Sequence, residues 1–201
     1  MFSSEKPFDL LEQELWSQFR AGDAHAFSEL MKRYSRILFR YGSRLSLDED
    51  LIKDCIQDVF FDLWEHRSTI SQPAVIKPYL YKALRLRIFR EQAKWTRWEN
   101  VEPETYFEFS VENHWVEQQY ATETREQFEK LLNTLPKRQK EILYLKFSEE
   151  LPHEDIAAIM NMNRQSVYNL LHEAIARLRK NWHDMPFYLS LGLLLLTVLF
   201  Q

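Results

Sequence analysis

The segment PHEDIAAIMNMNRQSVYNLL, residues 152–171, decides the fold of the C-terminal part of this chain. Its apolar residues recur at the spacing of two short helices that share one buried side. They are Ile156, Ala157, Met160, Val167 and Leu171. Ala157 is small enough to let the helices approach closely, and Asn163 is a suitable N-cap for the second helix. The segment therefore predicts a helix-turn-helix, with helices over 153–160 and 164–181.

The start of the second helix carries polar side chains of the types that read base edges in DNA. The candidate readers are Arg164, Gln165, Ser166, Tyr168, Asn169 and His172. Arg pairs with guanine, and Gln or Asn pairs with adenine, through two hydrogen bonds in the major groove. Helix pairs of this kind also occur with purely structural duties in all-α folds, so that alternative stays open.

Two further helices are predicted upstream. Asp23 is a good N-cap for the first, and the apolar residues after it fall three or four apart as far as Leu45. The second begins near Ser46 or Asp48 and carries an aspartate at every fourth position. These are Asp50, Asp54, Asp58 and Asp62. Like charges at that spacing repel, so a basic partner is the simplest compensation, although solubility alone is an alternative explanation.

A third upstream helix, starting around Pro78, concentrates positive charge. Residues 77–98 contain seven basic side chains and one acidic side chain, with aromatic residues between them. The candidate nucleic-acid contacts are Lys82, Arg85, Arg87, Arg90, Lys94, Trp95, Arg97 and Trp98. Basic groups bind phosphates and aromatic faces stack on unpaired bases, so this mixture suits single-stranded nucleic acid. Against this stand the alternatives that the charges form a solvated face and that about half of the aromatics are core.

The composition excludes several classes of protein. The chain has 201 residues and a net charge of −4, is 45% hydrophobic, and contains three glycines and one cysteine, Cys55. It is too apolar for disorder and too poor in glycine for a phosphate-binding loop. Its six histidines have no metal-ligand spacing, and no activated Ser or Cys motif occurs, so we expect no catalytic residue, metal or cofactor. The N-terminus lacks the apolar run of a signal peptide, which favours the cytoplasm.

The expected architecture is all-α, with no strand pattern, and has two small helical domains. The predicted divisions are a first domain over 1–98, an acidic linker over 99–126, a helix-turn-helix domain over 127–182 and an apolar, helical C-terminal tail over 183–201. Residues 185–201 carry no charge, and two explanations remain open for them: packing on the protein, or contact with a membrane or membrane protein.

Several segments of the chain resemble those of a known family. The stretch LNTLPKRQKEIL (132–143), followed by the helix-turn-helix and by AIARLRK (174–180), is similar to region 4 of sigma-70 family factors, the promoter-specificity subunits of bacterial RNA polymerase. The stretch DLIKDCIQDVFFDLW (50–64) looks like region 2.2 of the same family. With two units and a short linker, the chain resembles the extracytoplasmic function group over roughly residues 15–182.

The resemblance implies two partners, core RNA polymerase and promoter DNA, and suggests an anti-sigma factor as a third. The matching motif that binds polymerase includes Asp54, Gln57, Asp58 and Trp64, beside the rest of the acidic stripe. The basic helix would hold and melt the −10 element, the helix-turn-helix would read the −35 element, and the polymerase would perform the nucleotide chemistry. The chain departs from the family at Leu170, Glu173 and Ile175, where basic residues are usual, and in its apolar tail.

Two other functions remain as alternatives. A helix-turn-helix regulator that acts without polymerase would account for 152–181 but not for the aspartate stripe or the basic aromatic helix. A membrane-associated adaptor would account for the tail.

Overall fold

The computed structural model describes residues 7–73, 75–99, 107 and 129–181, and within these the side chains of 7–10 and 95–99 are not described. The chain divides into two compact units, with the main boundary between residues 106 and 107. All regular secondary structure in the described ranges is helical, which confirms the all-α prediction.

The first unit consists of four helices, α1 (Pro7–Arg20), α2 (Ala24–Leu45), α3 (Glu49–Glu65) and α4 (Ile76–Glu99). The predicted cap Asp23 is confirmed, and of the two starts predicted for α3, Ser46 and Asp48, the structure has Asp48 as the cap. The Asp23 carboxylate accepts hydrogen bonds from the backbone N–H groups of His25 and Ala26, and Asp48 does the same at the start of α3. The helix expected around Pro78 begins two residues earlier, at Ile76.

The core of the first unit is aromatic and closely packed. The rings of Tyr41 and Tyr81 stack with centroids 4.4 Å apart and join α2 to α4. Trp16 and Phe19, from α1, are fully buried, yet the sequence reading predicted no helix there. Gly42 allows α2 and α3 to approach closely, because a Cβ at this position would lie 2.6 Å from Ile52 Cγ2.

The second unit is built around the predicted helix-turn-helix. Residues 129–133 are the described part of a helix, α5. After Pro136 come α6 (Lys137–Leu143), a π-helical turn (Tyr144–Ser148), α7 (His153–Met160) and α8 (Arg164–Lys180). The helix that begins after Pro136 therefore ends in a wider turn, which the Tyr144 hydroxyl closes by donating a 2.6 Å hydrogen bond to Glu149.

The predicted linker contains a buried aromatic residue, which its acidic composition does not indicate. Phe107 is 2% exposed, and its ring lies edge-on to Tyr144 with centroids 6.0 Å apart. The rest of 99–126, apart from the last residue of α4, and the predicted tail from 183 onward lie outside the described residues. Among the helices that are described, none is both long enough and apolar enough to cross a membrane.

Candidate functional site

The turn between α7 and α8 has the geometry that a helix-turn-helix requires. Asn161 adopts a left-handed conformation with φ 51°, which Asn tolerates better than most residues. The Met162 N–H donates to the Ala157 carbonyl at 3.0 Å, and the Asn163 side chain accepts from the Ser166 N–H at 2.7 Å. The chain thus leaves α7 and enters α8 with its backbone groups paired, and the predicted cap is confirmed.

The first turns of α8 present most of the predicted DNA-reading side chains to solvent. The exposed ones are Arg164, Gln165, Tyr168, Asn169 and His172, whereas Ser166 is half-buried. Gln165 Nε2 donates a 3.1 Å hydrogen bond to Asn169 Oδ1, and Arg164 Nη2 lies 3.3 Å from the Tyr168 hydroxyl. These side chains are therefore held in pairs along one face of the helix.

Two residues of α7, which the sequence reading did not assign to the site, contact this face. Glu154 Oε1 lies 2.8 Å from Arg164 Nη1, and the His153 ring stacks on Tyr168 with centroids 4.3 Å apart. Burial, helped by nearby Lys146, lowers the pKa of His153, so its ring is uncharged at neutral pH. Sequence spacing gives no signal for either contact, because the angle between α7 and α8 determines them.

A shallow depression borders the same helix. Its lining includes Arg138 from α6 together with Asn169, Leu170 and Glu173 from α8. Leu170 and Glu173 are positions where the chain departs from the basic family pattern. Arg138 brings a positive charge to their side of α8, which the sequence reading of that helix alone did not consider.

The aspartate stripe of α3 lies on the surface, as its spacing predicts. Asp50, Asp54, Asp58 and Asp62 are exposed, and so is Gln57. Phe61 lies among them with 64% of its surface exposed, an apolar group that the sequence reading missed. The face is therefore acidic with one apolar projection.

Trp64, predicted as part of the polymerase-binding motif, is less exposed than the aspartates. Its ring is half-buried and packs on Phe27, with centroids 4.9 Å apart, while the Arg67 guanidinium lies over it at 4.5 Å. Its main contacts in this structure are intramolecular, because α2 packs against α3 at this end.

Arg87 connects the two surfaces that the sequence reading treated as independent. This residue of α4 is 3.1 Å from Asp58 Oδ2 through Nη1 and contacts Asp62 through Nη2. Its side chain is 24% exposed. Arg87, predicted as a nucleic-acid contact, is therefore engaged with the aspartate stripe in this structure, and α4 itself supplies one compensating charge.

The other predicted nucleic-acid contacts on α4 differ in exposure. Arg85 is 9% exposed, and its guanidinium lies 4.4 Å from the Phe89 ring centroid, so the expectation of a surface phosphate contact is wrong for this residue. Lys82 is half-buried, whereas Arg90 and Lys94 are exposed, and Lys94 pairs with Glu91 at 2.7 Å. The side chains of Trp95, Arg97 and Trp98 lie outside the described residues.

Comparison with known proteins finds two similarities in sequence. The family model for sigma-70 region 4 matches residues 125–178. The RNA polymerase sigma-E factor of Streptomyces coelicolor is 24% identical over 166 residues, covering 79% of this chain and 87% of that protein.

Two solved structures have a similar fold. One is the sigma factor RpoE of Bartonella quintana, solved with the anti-sigma factor NepR, with a TM-score of 0.58 and 21% identity over 79% of this chain and 98% of that one. The other is CnrH, solved with the cytosolic domain of CnrY, with a TM-score of 0.56 and 15% identity over 84% of this chain and 95% of that one.

A helix-turn-helix with exposed polar side chains at the start of its second helix, α8, is typical of DNA-binding proteins of the helix-turn-helix class. Within the described ranges, no cluster of His, Cys, Asp and Glu could hold a metal ion. Residues 125–178 therefore match sigma-70 region 4, and most of the chain is similar in sequence to an RNA polymerase sigma factor.

Proposed function

We propose that this chain binds bacterial core RNA polymerase and directs it to promoters whose −10 and −35 elements it recognises with separate units. One observation carries the proposal: a single chain combines an exposed acidic face on α3 with a helix-turn-helix whose second helix presents Arg164, Gln165 and Asn169 outward. A DNA-binding regulator that acts alone has no need of the acidic face.

The polymerase contact is the acidic face of α3. Asp54 is exposed and has no ion-pair partner among the described residues, so its charge is available to a basic surface. Gln57 and Asp50 lie on the same exposed side, and Phe61 supplies apolar area that would be buried on docking. Asp58 and Asp62 contribute negative charge to the same contact, although both are paired with Arg87.

The −10 contact is the exposed part of α4. Arg90 is exposed and available for phosphates there, and Lys94 is exposed beside its partner Glu91. Lys82 is half-buried, and we propose Trp95, Arg97 and Trp98 as contacts with an unpaired strand. The −35 contact is the start of α8, with Arg164, Gln165 and Asn169 as base readers and Ser166, Tyr168 and His172 beside them.

The proposal extends to further properties. The polymerase performs the nucleotide chemistry, so this chain has no catalytic role of its own, and it works in the cytoplasm with the bacterial transcription machinery. The Bartonella relative was solved with an anti-sigma factor, and we extend that kind of partner to this chain.

The test is reconstitution of the full chain with bacterial core polymerase and a promoter library. We expect run-off transcripts that share −10 and −35 sequences. Asp54→Lys is expected to abolish core binding, whereas Glu14→Lys, the same charge reversal at an exposed position on α1, is expected to retain it. Transcripts that do not depend on the added chain, or core affinity unchanged in Asp54→Lys, would refute the proposal.

A second measurement separates the two DNA contacts. The logarithm of promoter affinity falls with the logarithm of salt concentration, with a slope of about 0.9 per phosphate contacted on duplex DNA and about 0.7 on a single strand. Arg90→Ala and Lys94→Ala are each expected to reduce the slope by about that amount. Arg164→Ala is expected instead to relax preference at one −35 base.

A further inference from the structure

Two side chains, Glu154 and Tyr168, contact the guanidinium of Arg164. Glu154 Oε1 lies 2.8 Å from Nη1, the Tyr168 hydroxyl lies 3.3 Å from Nη2, and the Tyr168 ring centroid lies 5.7 Å from Cζ. Glu154 belongs to the first turn of α7, whereas Arg164 is the first residue of α8. The contact therefore joins the first turn of α7 to the start of α8 on the exposed surface.

The tyrosine is itself supported from α7. His153 stacks on Tyr168 with centroids 4.3 Å apart and an interplanar angle of 23°. His153 and Glu154 are consecutive residues, so one turn of α7 holds both the tyrosine and the arginine. These contacts limit the directions in which a long, flexible side chain can point while the protein is free in solution.

This arrangement matters because arginine can contact DNA in two ways. It can read a guanine edge through two parallel hydrogen bonds, which requires a fixed orientation, or it can neutralise any nearby phosphate, which does not. A carboxylate beside the guanidinium repels phosphates and lowers the attraction to DNA in general. Holding a side chain in its bound conformation also reduces the entropy lost on binding.

We propose that Glu154 is a positioning residue for promoter reading: it orients Arg164 toward one base of the −35 element and keeps it from acting as a general phosphate contact. This inference rests on the proposed function. It adds a specificity determinant on α7, outside the helix that reads the DNA, and it makes an acidic residue favourable for selectivity although it weakens non-specific binding.

The test uses the full chain bound to core polymerase and compares Glu154→Gln with the unmodified protein. Glu154→Gln keeps the size and removes the charge. Two affinities are measured: for a promoter library randomised at the −35 element, and for duplex DNA without a promoter. We expect non-promoter affinity to rise about two- to fivefold as one repelling charge is lost. We expect preference at a single −35 position to fall about three- to tenfold, part of what a bidentate contact provides.

Three controls make the result specific. Glu150→Gln makes the same charge change at an exposed position before α7, and it is expected to leave base preference unchanged. Glu154→Gln added to Arg164→Ala should cause no further loss of preference, because the two residues act through one contact. Tyr168→Phe keeps the ring but removes the hydroxyl, and it should weaken preference at the same base to a smaller degree.

The outcomes distinguish this inference from the proposed function. If the unmodified holoenzyme shows no −35 preference, the proposed function and this inference both fail. If it shows a preference that Glu154→Gln leaves intact, or that Glu154→Gln weakens equally at every position, the inference alone is overturned. The inference is supported if Glu154→Gln raises non-promoter affinity and lowers preference at one −35 base. Glu150→Gln must leave that base preference unchanged.

Discussion

Replacing Arg87 by alanine tests the link between α3 and α4. Arg87 pairs with both Asp58 and Asp62, and the three side chains are 24%, 54% and 54% exposed. Ion pairs this accessible to water contribute about 0.2–1 kcal/mol each, so losing both should cost about 0.5–2 kcal/mol. For a unit of this size that lowers the melting temperature by about 4–8 °C per kcal/mol. The assay is calorimetry of the full chain.

Salt dependence identifies the physical cause. The Debye length falls from about 10 Å at 0.1 M salt to about 3 Å at 1 M, so the difference between Arg87→Ala and the unmodified protein should shrink at high salt. Arg90→Ala is the matched control, because Arg90 is exposed on the same helix and has no ion-pair partner among the described residues. A double-mutant cycle with Asp62→Asn should give a favourable coupling energy.

Two results would contradict this reasoning. One is equal stability of Arg87→Ala and Arg90→Ala at low salt. The other is a loss in Arg87→Ala that persists undiminished at 1 M salt, since this would assign the effect to packing of the aliphatic stem rather than to charge.

Three further predictions concern the core of the first unit. Gly42→Ala places a Cβ 2.6 Å from Ile52 Cγ2 and should destabilise the protein by about 1–3 kcal/mol in urea denaturation, and a neutral result would mean that α2 and α3 can separate freely. Tyr34→Phe removes the donor of a buried 2.6 Å hydrogen bond to Glu12 and should lower the free energy of unfolding by about 1–3 kcal/mol. An unchanged midpoint in urea denaturation would contradict this prediction. Burial raises the pKa of the Cys55 thiol to about 11, so at pH 8 the native protein should react with a thiol reagent far more slowly than the urea-unfolded chain, and equal rates would disprove the burial.

Local signals predicted the helix-turn-helix well. Its apolar spacing depends only on residues within about 20 positions, and the Asn163 cap and the turn are likewise local. The caps Asp23 and Asp48 succeeded for the same reason. The α1 helix was missed, even though Trp16 and Phe19 form part of the core and Pro7 at its first position is a usual start signal.

Predictions for the site residues likewise succeeded for local features and failed for contacts between helices. Which residue types lie on α8, and that the α3 aspartates share one face, follow from helical periodicity in the sequence alone. That Arg85 is buried against Phe89, that Arg87 is bound to the aspartates of α3, and that Glu154 holds Arg164 depend on how separate helices pack. Periodicity places a residue on one side of its own helix but contains no information about the neighbouring helix, so only the tertiary structure decided which charges are free and which are already paired.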